Sequence, residues 1–154
     1  KIEITVDNVA AGHFVPSGAT PDRRLWAEVI AYQGDQVLYQ SGVVPADGSV
    51  DSINDPDLWL IRDCLTDEND QPVHMFWDAA KVTANAIPGP VKQVFTDPST
   101  YTRSHVRYLY PGMGPVPAKP ARITIRRLLK PIGDDILHDL IAFGNLDPAL
   151  ARRV

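Results

Sequence analysis

Short alternating segments separated by proline-rich turns constrain the fold of this chain more than any other feature. The sequence contains 14 prolines, and most of them lie between runs of apolar and β-branched residues, as in 87–90 and 111–117. Proline removes a ladder hydrogen bond and is disfavoured inside helices and sheets. The pattern therefore predicts a mainly β protein built from short antiparallel strands.

Period-two alternation of apolar and polar residues predicts where the strands lie. Residues 2–9 alternate in this way and predict a strand with one buried face. Residues 24–32 and 36–42 flank Gly34 and Asp35, so this pair predicts a β-hairpin. Further strands are predicted at 58–65, 91–95, 105–110 and 121–129. This number of short strands predicts an antiparallel β-sandwich of immunoglobulin-like size.

In a β-strand, alternate side chains point to opposite faces, and this applies to the predicted strand that contains Trp26. Leu25, Ala27 and Val29 form one face, and Trp26 and Glu28 belong to the other. We expect Trp26 to face the core. Glu28 would then need a partner such as Arg24, because a buried carboxylate without a partner is costly.

The C-terminal part of the chain changes to a helical pattern. Apolar residues recur at helical spacing in 134–143, with acids at the start and Gly144 at the expected end. Residues 147–153 begin with Asp-Pro, a favourable start for a second short helix. The prediction is a helical segment over about residues 133–153, as a cap on the sandwich or as an interface with an adjoining domain.

Composition limits the classes of partner and site. The chain has 15 Lys and Arg against 19 Asp and Glu, a net charge of −4, so nucleic acid is not an expected partner. No apolar run is long enough to span a membrane. A single cysteine, Cys64, excludes an internal disulfide, a thiolate zinc site and a Cys-x-x-Cys-His haem attachment motif.

The organisation predicted from these features is a single domain over residues 1–154. The first residue is Lys1, and the segment that follows has no signal-peptide pattern. We therefore expect the domain to be excised from a larger protein.

Residues 8–26 contain the densest group of unusual residues. Glycines and prolines fix an irregular backbone path that can hold the imidazole of His13 in one orientation. The alternative is structural, with His13 bonded to a backbone carbonyl and Asp22 paired with Arg23 or Arg24. The candidate site residues of this loop motif are Gly12, His13, Pro16, Gly18, Asp22 and Arg24.

Other arrangements for catalysis or metal binding lack the required spacing. A three-histidine metal site would need two of His13, His74 and His105 to converge, and no local pair of histidines preorganises them. Neither Ser17 nor Ser41 lies in a Gly-x-Ser-x-Gly turn. We therefore expect this domain not to be an enzyme.

A binding module for sugar or calcium is the alternative from another functional class. An exposed Trp59, Trp77 or Tyr110 would stack on a sugar ring, although aromatic residues in short strands usually belong to a core. Acidic residues in loops would offer oxygen ligands to calcium, but they lack the EF-hand spacing. These acids are Asp47, Asp51, Asp55, Asp57, Asp67, Glu68 and Asp70.

Several stretches of the sequence resemble one known family. They are Gly-His-x-x-Pro-Ser-Gly at 12–18, Asp-Arg-Arg-Leu-Trp-Ala-Glu-Val at 22–29, Leu-Tyr-x-Ser-Gly at 38–42, and an acidic turn with His74 and a Trp-Asp pair at 67–79. Together with the tail at 137–148, they are similar to the β-rich domain found with multihaem c-type cytochromes. Asp70 stands where the turn of that family usually has glycine.

The resemblance implies a non-catalytic accessory domain of a periplasmic or secreted electron-transfer protein. Haem c is then expected in the parent protein and not within these 154 residues, which lack an attachment motif. The expected partner is a haem-bearing domain of the same polypeptide or a separate cytochrome. In that setting His13 is a candidate axial haem ligand.

Overall fold

The computed structural model describes residues 2–8, 11–46, 48–89, 96–97, 104–110 and 122–151. Within these residues the strands are β1 (Ile2–Asn8), β2 (Arg24–Gln33), β3 (Gln36–Ser41), β4 (Leu60–Ile61), β5 (Cys64–Thr66), β6 (Lys81–Thr83), β7 (Ser104–Tyr110) and β8 (Arg122–Lys130). The helices are α1 (Asp134–Ala142) and α2 (Pro148–Ala151), and short 3₁₀ helices occur at Thr20–Asp22 and Phe76–Asp78.

Strand β2 is the centre of the main sheet. It pairs with β8 along almost its whole length and with β3 and β4 over its two halves. Strands β1 and β7 form a second sheet, and β5 pairs with β6. All of these pairings are antiparallel, which confirms the predicted mainly β architecture.

The two larger sheets share one hydrophobic core. Leu25, Ala27 and Val29 of β2 face Ile4 and Val6 of β1 in a single buried cluster. Additional members of this cluster are Trp59, Ile61, Ile87 and Tyr110. Two antiparallel sheets that bury their inner faces against each other form the predicted sandwich.

The opposite face of β2 is also buried, and this corrects the expected environment of Trp26 and Glu28. Trp26 is buried, but it lies on the face turned away from the shared core, where its indole Nε1 donates to the Gly42 carbonyl at 3.0 Å. The partner of Glu28 is Arg126, with two hydrogen bonds of 2.6 and 2.7 Å, and not Arg24. The β2–β8 register places Arg126 directly opposite Glu28.

One predicted strand is interrupted and another lies outside the described residues. The segment 58–65 divides into β4 and the start of β5, because Asp63 between them accepts hydrogen bonds from the backbone of Asn85 and Ala86. A carboxylate used in this way anchors a turn and ends the ladder. The predicted strand at 91–95 lies outside the described residues.

Helix α1 is attached to the start of β2. It matches the predicted amphipathic helix, and the Gly133 N–H that precedes it donates to the Asp22 carbonyl at 2.7 Å. Ile136 and Leu137 are its buried residues, and Gly144 follows it with a φ of 73°. Helix α2 falls within the predicted second helix, and residues 152–153 lie outside the described part. Neither helix is long and apolar enough to cross a membrane.

The phenol of Tyr110 gives a first testable prediction. Its hydroxyl is buried and has no hydrogen-bond partner among the described residues, and burial raises its pKa. Replacing Tyr110 with phenylalanine removes this unpaired group and keeps the ring contacts with Tyr39 and Tyr108. We expect the free energy of unfolding, measured by urea denaturation, to rise by about 1 kcal/mol.

Tyr39 provides the matched control for this substitution. Its hydroxyl donates to Asp57 at 2.9 Å, so Tyr39→Phe should lower stability by about 1 kcal/mol. Equal losses in the two variants would show that the Tyr110 hydroxyl has a stabilising partner.

Candidate functional site

The loop that carries His13 is held to the sandwich at two points. The buried side chain of Asn8 donates from Nδ2 to the His13 carbonyl at 2.7 Å and to the Pro88 carbonyl at 3.0 Å. Val15 and Ile87 exchange two backbone hydrogen bonds of 2.9 and 2.8 Å. These contacts fix the backbone on both sides of His13.

The imidazole of His13 is exposed and oriented by its own loop. Nδ1 lies 2.7 Å from the Phe14 carbonyl oxygen. Because a carbonyl can only accept, Nδ1 carries the hydrogen in the neutral ring, and Nε2 keeps its lone pair. Nε2 has no partner among the described residues. A histidine that ligates a metal commonly has this arrangement, with the second ring nitrogen donating to a backbone carbonyl.

A groove of about 370 Å³ lies next to His13. It is formed where the loop meets strands β2 and β8, whose register pairs Leu25 with Leu129 and Ala27 with Arg127. The residues that line it are His13, Val15, Pro16, Ser17, Arg23, Leu25, Arg127 and Leu129. The groove thus combines one imidazole, two guanidinium groups and an apolar floor.

Gly18 supports the position of Arg23 in this groove. Gly18 has a φ of 75°, which favours glycine, and a Cβ built on it would lie 3.2 Å from Nη2 of Arg23. The absence of a side chain therefore allows the guanidinium to lie against the loop. Within the described residues, neither Arg23 nor Arg127 forms an ion pair with a carboxylate.

An apolar surface on β8 continues from the groove. Ile123, Ile125 and Leu129 are 43%, 50% and 56% exposed, although the register places them on the same face of the sheet as the core residues of β2. Such a row of exposed apolar side chains is typical of an interaction surface. We call the groove and these three residues the His13 face.

Asp22 and Arg24 lie outside the His13 face. The Arg24 side chain is fully buried, where Nε donates to Asp51 at 2.6 Å and Nη2 donates to Asp135 at 2.5 Å. Nη1 donates to the Pro21 carbonyl at 2.7 Å. Burial raises the pKa of Asp22, and the nearby Arg24 opposes that shift. These two residues connect β2 to the start of α1.

The structure thus divides the candidate loop residues into two groups. Gly12, His13, Pro16 and Gly18 belong to the loop that forms the groove, whereas Asp22 and Arg24 anchor helix α1. Sequence reasoning considered Arg23 only as a partner of Asp22, and it missed Arg127 and Leu129. The β2–β8 pairing brings the last two to the loop from about one hundred residues away.

The other histidines are placed apart from the groove. His74 is half-buried, with Nδ1 2.7 Å from Asp139 and Nε2 3.3 Å from Asp135. His138 is exposed on α1, and the side chain of His105 lies outside the described part. Among the residues that the structure describes, no group of three His, Cys, Asp or Glu side chains is arranged to hold a metal ion.

Of the aromatic residues considered for sugar stacking, only one is accessible. Trp59 and Tyr110 are buried in the core, whereas Trp77 is 79% exposed. Five of the acids considered for calcium already form hydrogen bonds or ion pairs within the fold: Asp51, Asp55, Asp57, Asp67 and Asp70. Asp55 accepts hydrogen bonds from Ser41 and from the Gly42 N–H, and Asp57 accepts one from Tyr39. Asp47 lies outside the described residues.

Comparisons with protein families, with curated proteins and with solved structures found no match for this chain.

Proposed function

We propose that this chain is a non-catalytic accessory domain of a multihaem c-type cytochrome, and that its His13 face packs against the edge of a haem in a neighbouring domain or partner. The observation that carries the proposal is the convergence on one face of an oriented imidazole, exposed apolar residues and two guanidinium groups that form no ion pair among the described residues. The domain is then expected in the periplasm or outside the cell.

The residues of this face fit the chemistry of haem c. A haem edge is apolar and carries two propionate carboxylates, and arginine binds a carboxylate through charge-assisted hydrogen bonds. Arg23 and Arg127 would hold the propionates, and Leu129 would cover the apolar edge. When bound, the haem supplies the redox-active iron, and the axial ligand is one of the features that sets its potential.

His13 has the arrangement needed for an axial ligand. Its Nδ1 donates to the Phe14 carbonyl, which fixes the ring, and Nε2 has no partner in the part of the chain that the structure describes. The hydrogen bond within the loop and a role as ligand are therefore compatible. The remaining contribution of the domain is to exclude water from the haem edge and lower the local dielectric constant.

Binding of a haem c peptide tests the role of the arginines. The probe is an N-acetylated ferric haem c peptide with one histidine ligand and both propionates free, titrated into the domain. We expect Arg127→Ala to weaken binding about tenfold, because one charge-assisted contact is lost. Arg122→Ala is the matched control, since Arg122 lies on β8 over the ring of Tyr32 and does not line the groove.

Esterified propionates separate charge recognition from apolar contact. With the dimethyl ester of the same peptide, wild type and Arg127→Ala should bind equally. If Arg127→Ala and Arg122→Ala weaken binding of the free acid to the same extent, the groove does not recognise propionates and the proposal fails.

A further inference from the structure

The 3₁₀ helix Phe76–Asp78 presents two aromatic side chains to solvent. Trp77 is 79% exposed and Phe76 is 54% exposed. The backbone beneath them is fixed, because the Asp78 N–H donates to Met75 at 3.1 Å and the Ala80 N–H donates to Thr66 at 2.9 Å. A large aromatic residue held outside the core by ordered backbone is typical of an interaction surface.

Trp77 forms one wall of a cavity of about 380 Å³. The polar residues that line the cavity with it are Asp67, Glu68, Asn69 and Asp78, and its lining residues include no lysine or arginine. Lys81, on the strand that follows the cavity residues, is bound to Asp70 at 2.6 Å. The indole therefore lies beside three carboxylates, and the cavity lining supplies no cation to balance them.

The three carboxylates differ in their hydrogen bonding. Asp67 accepts hydrogen bonds from the backbone N–H groups of Asn69 and Gln71, both at 2.8 Å, and the Gln71 N–H is the main reason that its pKa is lowered. Asp67 thus stays ionised at neutral pH. Glu68 and Asp78 make no side-chain hydrogen bond or ion pair within the described part of the chain.

Charge decides which ligand chemistry fits this cavity. A neutral sugar would stack on Trp77 but would leave Glu68 and Asp78 without a counter-charge from the described residues. An ammonium or guanidinium group would meet the ring face through a cation–π contact and the carboxylates through ion pairs. The indole ring and the carboxylates of the cavity therefore both favour an organic cation.

We propose that the Trp77 cavity docks a lysine or arginine side chain from an exposed basic segment of a partner protein. The surface is separate from the His13 face, and the proposal does not depend on haem binding. Binding is expected to weaken as salt concentration rises, because the carboxylates are near solvent.

A hexalysine peptide is the probe that tests this proposal. Titration followed by calorimetry and by the indole N–H signal of Trp77 should show binding at one site. Trp77→Ala should weaken binding about tenfold, and Trp77→Phe should retain most of it because the ring face remains. Asp78→Asn should weaken it several-fold by removing one carboxylate.

Matched controls separate a specific site from general attraction. Phe143→Ala removes an exposed aromatic side chain elsewhere on the surface and should leave binding unchanged. If Trp77→Ala also leaves hexalysine binding unchanged, attraction to the net negative charge accounts for it and the proposal is overturned. Binding of cellohexaose that requires Trp77, or no binding of hexalysine at low salt, would overturn it as well.

Discussion

Replacing Arg24 with methionine is expected to lower the free energy of unfolding by about 3–5 kcal/mol, because it removes the buried cation between Asp51 and Asp135 and leaves them the longer contacts to Arg62, at 3.5 and 3.7 Å. Arg24 is fully buried between Asp51 and Asp135, and it also donates to the Pro21 carbonyl. Methionine fills much of the same volume and supplies no donor. Urea denaturation followed by circular dichroism measures the loss.

Two further variants test whether the loss comes from unpaired charge. Arg23→Met changes the adjacent arginine, which lines the groove and forms no ion pair in the described residues, so its effect should stay within about 0.5 kcal/mol. Adding Asp135→Asn to Arg24→Met should recover part of the loss, since residues in one network are coupled. A cost below about 1 kcal/mol for Arg24→Met would contradict the buried network.

Trp26→Ala is expected to cost about 3–5 kcal/mol, as is usual when a large buried aromatic side chain is removed. Trp26 is 9% exposed, and its indole Nε1 donates to the Gly42 carbonyl at 3.0 Å. Trp26→Phe keeps most of the apolar contact but leaves that carbonyl without its donor, so it should cost about 1–3 kcal/mol.

Trp77 is the control for this comparison. Because Trp77 is 79% exposed, Trp77→Ala should change stability by less than about 0.5 kcal/mol. Similar losses for Trp26→Ala and Trp77→Ala in the same denaturation assay would contradict the burial of Trp26.

Local periodicity was sufficient to predict most of the strands and the main helix. The alternation in β1, the Gly34-Asp35 turn between β2 and β3, and the apolar stripe of α1 are each contained within a short segment. These features depend on backbone geometry and on one buried face, which neighbouring residues determine. They therefore needed no knowledge of distant contacts.

The environment of β2 could not be predicted in the same way. Its two faces are both buried, so the presence of Glu28 and Trp26 on one of them did not identify that face as interior or exterior. The partner of Glu28 comes from β8, about one hundred residues later in the chain. Pairing over such a separation is not encoded in local alternation.

Local sequence patterns were likewise insufficient to predict which residues form the candidate site. The adjacent residues Arg23 and Arg24 differ completely in environment, since one lines the groove and the other is buried in an ion-pair network. The sequence motif drew attention to Arg24, whose role is structural. Arg127 carries no local signal at all, because only the β2–β8 register brings it to the His13 loop.

The spin state of a bound haem c peptide tests the central claim that His13 offers Nε2 as an axial ligand. The measurement is the absorption and electron paramagnetic resonance spectrum of the N-acetylated ferric peptide at saturating concentrations of the domain. We predict conversion from high-spin to low-spin iron with wild type, because a second imidazole fills the open axial position. His138→Ala, which changes an exposed histidine on α1, should behave as wild type, and His13→Ala should leave the iron high-spin. Low-spin conversion that persists in His13→Ala, or its absence with wild type, would contradict the account.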